Sequence, residues 1–557
     1  MVGVAVTARR RLILASGDQQ WGERWLLGQL NEADLAATLW IAERAPAGVQ
    51  PIRSARVTQC LGGEYRLLVC NAHQGFHPDA VAAAAGTLRG GGDCVLLIPP
   101  LESWSRFADP DKARFAAYPR TPSDMNSGFL ARLLRCWCDQ SATHTVTPSS
   151  PLTVRLAPPA AETFQPSDAQ RAAVSAVERV AHGHARRPLV LTADRGRGKS
   201  TVLGIAAARL LSGGLPRITV VAPHRAAAET LFRHALVQAG IEPRAPGDVR
   251  IAGGMLRFRL PAECIGDAAG VLGLILIDEA AAIPVGVLQR LLEVGNRLVF
   301  ASTVHGYEGS GRGFDIRFRA LLNERMPQWR GLHLSEPLRW PPDDPLEAAL
   351  NRGFLLDVEL TAPPADAALS IRRVEPAMLA GQEPLLRSAF ALLVNAHYQT
   401  RPSDLRQLLD NPDVHLWLAC RGDVVVGVLL CCAEGGFDPD MAGQVLSGRR
   451  RPRGHLLAQS LAVHAGLDDV LGQRVLRVQR IAVHPQMRRE GLGRGLLEAC
   501  AAWAEGHRFD LLGCAFAADS PLLGFGRALR VAAARRGTRV DPARAAISLV
   551  LLRGLSA

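Results

Sequence analysis

Residues 189–201 read Leu-Val-Leu-Thr-Ala-Asp-Arg-Gly-Arg-Gly-Lys-Ser-Thr, and the stretch after them, Val202 to Leu211, is apolar and helix-forming. A short apolar run, a glycine-punctuated loop and a helical run in that order predict strand, loop, helix. Gly196 and Gly198 let backbone N–H groups turn inward, and the helix N-terminus adds its partial positive charge, so the loop is built for phosphates. Lys199 is placed to reach the β- and γ-phosphates, and the Ser200 hydroxyl to ligate magnesium. The nucleotide-binding set on this reading is Thr192, Ala193, Asp194, Arg195, Gly196, Arg197, Gly198, Lys199, Ser200 and Thr201. Ala193 stands where the phosphate-loop pattern has its first glycine. Against that departure, all but two of the 64 basic residues are arginine, and one of the two lysines, Lys112 and Lys199, falls on the position where the chemistry wants a lysine.

Working outward, apolar runs at 218–221, 274–277 and 298–300 alternate with helical stretches, the rhythm of a parallel sheet covered on both faces. They place an α/β domain at 165–355, RecA-like with its phosphate loop. Ile275 to Ile277 lead into Asp278 and Glu279, an apolar strand ending in two carboxylates. Asp278 is expected to hold the magnesium shell, and Glu279 to orient or deprotonate the attacking water. Gln170 sits where superfamily-1-like ATPases read adenine, the alternative being a surface glutamine. Arg339 is placed to contact the γ-phosphate, the alternative being an ordinary ion pair.

On either side lie two further regions. Residues 1–160 alternate short strands with helices in a βαβ-like pattern and carry no catalytic constellation; a proline-rich stretch from Pro148 to Pro166 closes them. Residues 365–555 read as α+β: a helix near 380–396, a hairpin over 414–431, a long strand near 474–483, a helix from about Gly491, a strand at 511–517, a helix and a last strand at 546–552. Within this region the run Ile481, Ala482, Val483, His484, Pro485 precedes Arg488, Arg489, Glu490, Gly491, Leu492, Gly493 and Arg494. R-x-x-G-x-G between a strand and a helix is the pyrophosphate-binding loop typical of GNAT acetyltransferases, and again works through backbone amides at a helix N-terminus. Ile481 to Val483 are expected to hydrogen-bond the pantetheine arm and to polarise the thioester carbonyl of acetyl-CoA.

Acetyl transfer to an amine also needs a base. No tyrosine follows Tyr398, so a tyrosine on the helix after the fifth strand, frequent in GNAT enzymes, is missing. His397 and Tyr398 are the catalytic candidates, and packing or substrate positioning is their alternative role. His484 reads as structural. Arg449, Arg450, Arg451 and Arg453 form a cationic loop, read as an RNA-phosphate contact against the alternative of solvated charge.

Composition agrees with several buried cores: 48% hydrophobic and 21% charged residues exclude a disordered chain. No apolar run is long enough to span a bilayer. The apolar run after the N-terminal arginines is too short for a signal peptide and leads into a turn, so a cytoplasmic location is expected. A net charge of +12 and a pI near 9.6 favour a polyanionic partner. The 11 cysteines show no zinc-ligand spacing and read as reduced, packed thiols.

Taken together, the strings LTADRGRGKS, LILIDEAAAIP, STVHGYEGSGRGF, PLRW, AHYQTRPSDLRQLLD, RRPRGHLLAQSLA and RIAVHPQMRREGLGRGLL resemble those of the bacterial tRNA(Met) cytidine acetyltransferases. AAGTLRGGGDCVLLIPP is similar to that family's leading domain, and the resemblance runs over roughly residues 10–515. It implies hydrolysis of ATP (or GTP) with magnesium in the middle domain and transfer of acetyl from acetyl-CoA to the wobble cytidine of elongator tRNA(Met), giving N4-acetylcytidine. It also implies tRNA as the partner, with neither membrane nor DNA. His305, Tyr307 and Glu308 would couple the nucleotide site to RNA; a structural loop is their alternative role. Family members continue into a tRNA-gripping tail, and this chain is expected to stop short of it. Two other readings stay open: an ATPase-gated N-acetyltransferase acting on another RNA or on a protein, and an RNA-binding ATPase whose acetyltransferase domain has lost catalysis.

Overall fold

The computed structural model describes residues 8–61, 63–139, 143–158, 166–194, 196–267, 273–303, 311–337, 339–396, 400–517, 532–541 and 546–555. Short runs of apolar residues fold as strands of three sheets. The first holds β1 (Arg11–Ser16), β2 (Thr38–Ile41), β3 (Pro51–Ile52), β4 (Leu67–Asn71), β5 (Asp93–Ile98) and β6 (Thr143–Val146), in the order β3-β2-β4-β5-β1-β6. Every pairing is parallel. β1 and β5 are buried at every position, as strands covered on both faces must be.

The second sheet holds β7 (Leu189–Ala193), β8 (Arg217–Val221), β9 (Asp248–Ile251), β10 (Gly254–Arg259), β11 (Leu274–Ile277), β12 (Arg297–Thr303) and β13 (Arg330–Leu334). Their order is β13-β7-β12-β11-β8-β10-β9, parallel except for the β9–β10 hairpin. The period of two is visible in the cores. Leu189, Leu191, Leu274 and Leu276 enter one apolar cluster, whereas Val190, Ile275 and Ile277 enter the cluster on the other face. Strand β12 lies between the phosphate-loop strand β7 and the acidic strand β11, so the carboxyl ends of all three open on one edge of the sheet.

The third sheet is mixed: β14 (Leu369–Val374), β15 (Val414–Arg421), β16 (Val424–Gly435), β17 (Arg474–Val483), β18 (Leu511–Ala517), β19 (Ala532–Asp541) and β20 (Ala546–Gly554), ordered β14-β15-β16-β17-β18-β20-β19. Only β17 and β18 run parallel. The helix expected between the strands at 511–517 and 546–552 falls partly on residues 518–531, outside the described residues; residues 532–541 form β19, a strand not expected from the sequence, paired antiparallel with β20 through two register shifts. There, edge pairing with a strongly apolar strand outweighs the helix propensity of Ala532 to Ala534.

The first and third sheets share a core. One cluster joins Leu12, Phe76, Phe129 and Trp137 to Phe354, Phe390, Leu409 and Leu416. The helix Pro345–Phe354, at the proline-rich end of the middle region, sits inside this cluster: Phe354 stacks on Phe129 with ring centroids 6.4 Å apart, and Trp137 Nε1 donates to Ala349 O at 2.9 Å. Arg406, fully buried, adds an ionic clasp. It donates to Asp109 at 2.5 Å, to Asp111 at 3.0 Å and to Phe76 O, and lies against Asp410. All 11 cysteines are free, and no helix among the described residues is long and apolar enough to cross a membrane.

Candidate active sites

β7 ends on the fully buried Ala193, and the chain turns through Gly196 (φ 77°) and Gly198 (φ 81°) into the helix Lys199–Ser212. Gly198 is the N-cap, in the left-handed region that favours glycine, and no side chain caps the helix. Its first amides are therefore left for an anion. Lys199 folds over the loop, its Nζ 3.3 Å from Asp194 O and 3.4 Å from Ala193 O, which places the ammonium at the phosphate cradle. Thr201 is buried, and the Thr192 hydroxyl lies 3.1 Å from His333 Nδ1 on β13. Arg195 lies outside the described residues.

Asp278, at the end of β11, is completely buried. Its Oδ1 accepts from Glu279 N at 3.0 Å, the Ser200 hydroxyl donates to the carboxylate, and Oδ2 has no hydrogen-bond partner among the described residues. Burial first, and the Glu279 charge second, push the Asp278 carboxyl up to about 7, with Ser200, the Glu279 N–H and Lys199 pulling the other way. Glu279 itself adopts φ 49°, a left-handed conformation that costs energy outside glycine and clusters at functional sites. An orphaned carboxylate oxygen beside a serine hydroxyl fits a hard divalent cation. Magnesium takes one or two carboxylate or hydroxyl ligands and fills the remainder with phosphate and water. Among the described residues no group of three or more His, Cys, Asp or Glu could hold a metal ion.

Gln170 is buried, not on the surface. It closes a capping box with Ser167, and its Nε2 has no partner among the described residues, a donor left for a base. The Arg339 guanidinium donates to Gly86 O at 2.8 Å and pairs with Glu64 at 3.5 Å, both in the first region. The neighbour that faces the phosphate loop is Trp340, which sequence reading missed. A Cβ on Gly196 would stand 2.8 Å from its indole. Arg10, buried in the first region, stacks on that ring at 3.4 Å, while Trp340 Nε1 and Arg197 both donate to Glu347, at 3.0 and 2.8 Å. The phosphate loop is thus wired to the first sheet through one indole and to the Pro345–Phe354 helix through one carboxylate.

In the third sheet, β17 pairs with β18 only from Val475 to Val478. Opposite β16 the register shifts between Leu430 and Cys431, which leaves Gln479 as the extra residue of a bulge. Beyond it Ile481 to Val483 continue along β16 with their β18-facing edge unpaired among the described residues, an opening in which an extended ligand arm can add itself to the strand. His484 N closes on Val426 O at 2.8 Å, and its Nδ1 accepts from Gln486, so His484 shapes the turn.

After this turn come Arg488, Arg489 (φ 68°), Glu490 and Gly491 (φ 81°), the N-cap of the helix Leu492–Gly506. That helix too lacks a side-chain cap, and its first helical bond is Gly495 N to Gly491 O. The amides of Leu492, Gly493 and Arg494 are left toward the opening. The Leu492 side chain anchors the turn in the core, and Arg494 pairs with Glu498 on the surface.

His397 and Tyr398 lie outside the described residues, as do His305, Tyr307 and Glu308. The segment from Thr400 to Asp404, just past Tyr398 in the chain, is tied to β17: Arg480, one residue before Ile481, donates to Thr400 Oγ1 at 2.9 Å and pairs with Asp404 at 3.0 Å. Arg449, Arg450, Arg451 and Arg453 line a groove of about 650 Å3 against the segment 113–120 of the first region.

Family models match the chain in three places. Residues 4–146 match "tRNA(Met) cytidine acetyltransferase TmcA, N-terminal". Residues 190–357 match "RNA cytidine acetyltransferase NAT10/TcmA, helicase domain", and 388–515 match "GNAT acetyltransferase 2". The tRNA(Met) cytidine acetyltransferase TmcA of Nitrosococcus halophilus is 39% identical over 99% of this chain and 76% of its own. The chain belongs to the TmcA family. The Vibrio cholerae member is 36% identical over 97% of this chain and 73% of its own, and the Haloferax volcanii member 34% over 94% and 73%. Family membership accords with the strings from the phosphate loop to the R-x-x-G-x-G turn. It does not by itself reveal the Arg10–Trp340–Gly196 stack, whose only sequence trace is the Trp of PLRW.

Proposed function

We propose that this chain acetylates the exocyclic amine of the wobble cytidine in elongator tRNA(Met), taking acetyl from acetyl-CoA and spending ATP or GTP to do so. The observation that carries the reading is the opening between β17 and β18, with uncapped helix amides at its mouth, in a member of the TmcA family. The amides of Leu492 to Arg494 hold the CoA diphosphate, Ile481 to Val483 hold the pantetheine arm as an added strand, and the strand-end amide polarises the thioester carbonyl. The cytosine amine attacks that carbonyl; the N–C bond forms, the C–S bond breaks, and the thiolate leaves with a proton. His397 or Tyr398 takes the amine proton; Thr400, two residues past Tyr398 in the sequence, is held by Arg480 of β17.

In the second sheet, Gln170 reads the base, the loop Thr192 to Thr201 cradles the phosphates, and Glu279 positions the water. Magnesium on Ser200 and Asp278 would neutralise charge on the phosphoryl oxygens. The wiring from Gly196 through Trp340 to Arg10 supports a role for hydrolysis in moving the first layer, and with it the RNA. The test is transfer of labelled acetyl from acetyl-CoA in the presence of both tRNA and a cell-free protein pool. Label on RNA that depends on hydrolysable nucleotide supports the proposal, and label on protein alone refutes it in favour of a gated protein acetyltransferase.

A further inference from the structure

The arginines that hold the buried parts of this chain together are matched by carboxylates. Arg10, Arg11, Arg132, Arg406 and Arg477 each meet a carboxylate. Arg449, Arg450 and Arg451 take part in no ion pair among the described residues, and all three are exposed. They share one groove with Arg453 and with Arg120, whose own charge is met by Asp413 at 2.7 Å. Crowding uncompensated cations into a concavity is unfavourable unless an anion enters it.

The groove is held in shape across two regions of the chain. Gly454 (φ 97°) packs so closely on the first region that a Cβ there would stand 2.4 Å from that of Ala117. His455, buried, accepts from Gly435 N at 2.8 Å through Nδ1 and bridges to Tyr118 O at 2.6 Å through Nε2, which makes Nε2 the protonated nitrogen. Arg453 donates to Ala113 O, and Tyr118 packs edge-on to Phe437. A loose solvated loop needs none of these fixings.

We infer that this composite groove, walled by residues 113–120 on one side and by the arginine loop on the other, grips the phosphodiester backbone of the RNA. The inference rests on the reading of the chain as an RNA acetyltransferase. It adds that the first region is part of the RNA site and that the grip is remote from the chemistry. Gly435, held by His455, lies six residues along β16 from Leu429, the partner of Ile481 on the acyl-transfer strand. At ~3.3 Å per residue that is roughly 20 Å, so the groove fixes where the RNA lies and the reacting base reaches the thioester elsewhere.

The experiment is tRNA binding by fluorescence anisotropy across a salt series, on the full chain. The variants are Arg449→Ala/Arg450→Ala/Arg451→Ala for the loop and Ala113→Glu for the opposite wall. Each lost phosphate contact lowers the slope of log K against log salt by about 0.7–0.9. The triple variant should therefore lose about 2–3 from the slope, with at least a tenfold weaker complex at low salt. Ala113→Glu should weaken it comparably by placing an anion in the groove. Acetyl-CoA affinity should be unchanged in both, which also shows that they are folded. A triple variant with the wild-type slope overturns the groove, while a weakened triple variant beside an unaffected Ala113→Glu overturns its composite character. If the wild-type chain binds no RNA, it is the RNA reading itself that fails.

Discussion

Asp278 is the residue at which stability and function should pull hardest against each other. Its carboxyl is raised from 3.8 to about 7 because it is completely buried and next to Glu279, so without a cation the native state binds a proton that the unfolded chain gives up. This group's contribution to stability is therefore fully present below about pH 4 and is lost as pH rises toward 7. A rise from 3.8 to about 7 corresponds to on the order of 4 kcal/mol at 1.36 kcal/mol per pK, an upper limit because buried sites relax and admit water. Asp278→Asn keeps the shape and the Ser200 contact while removing the charge. In EDTA, without nucleotide, the variant should be more stable than wild type at pH 8, by a margin that shrinks steadily as pH falls toward 5. Even a quarter of the upper limit, ~1 kcal/mol, moves the melting temperature of a domain this size by ~2–4 °C. The assay is thermal unfolding of both proteins from pH 5 to 8.5, following the transition that Mg·ATP shifts in wild type. At a hundredfold excess over Kd that ligand adds ~2.7 kcal/mol to wild type, and it should add nothing to the variant, which should have no turnover. A variant that is less stable than wild type at pH 8, or a difference that ignores pH, would show that Asp278 is not a buried carboxyl waiting for a cation.

Four further outcomes are expected. Lys199→Ala should abolish nucleotide turnover yet leave acetyl-CoA affinity intact by calorimetry; loss of both would show that the two sites do not lie in separate sheets. Gly493→Glu should weaken acetyl-CoA at least a hundredfold by setting a carboxylate against the diphosphate, and an unchanged Kd would mean the turn is misassigned. Trp340→Ala should cost ~3–5 kcal/mol of stability as a buried aromatic truncation, whereas Trp340→Phe, which keeps one aromatic ring but loses the Nε1–H bond to Glu347 and part of the indole's volume, should cost clearly less, ~1–3 kcal/mol; equal losses would deny the stack its role. Arg406→Met strands Asp109, Asp111 and Asp410, and should cost ~3–5 kcal/mol at pH 8. That loss should shrink on acidification because the Asp410 carboxyl already sits at about 6, and a pH-independent loss would contradict it.

Periodicity made the strands legible. The alternation in β7 and β11 distributes side chains to two cores, and the turns at Gly198 and Gly491 need the left-handed backbone that glycine supplies. Lys199 stood out because the chain otherwise writes its cations as arginine; the other lysine, Lys112, is also buried, donating to Ser127 Oγ at 2.9 Å. Burial of Gln170 was not legible, since its helix start reads equally well as an exposed capping box. The direction of Arg339 was not legible either: a loop has no period to say which way a side chain faces, and the partners Glu64 and Gly86 are far away in sequence. The shared core of the first and third sheets, and the helix Pro345–Phe354 inside it, come from packing between distant segments that no local pattern encodes. β19 was missed for the same reason, because β20 supplies its hydrogen bonds.

Mass spectrometry of nucleosides from unmodified elongator tRNA(Met), incubated with the chain, acetyl-CoA, magnesium and ATP, reads the proposed reaction at its product. N4-acetylcytidine is expected at the wobble position, formed with ATP or GTP and absent with a non-hydrolysable analogue. Acetyl-CoA binding and RNA-stimulated hydrolysis without any acetylated nucleoside would rule out wobble-cytidine acetylation by this chain.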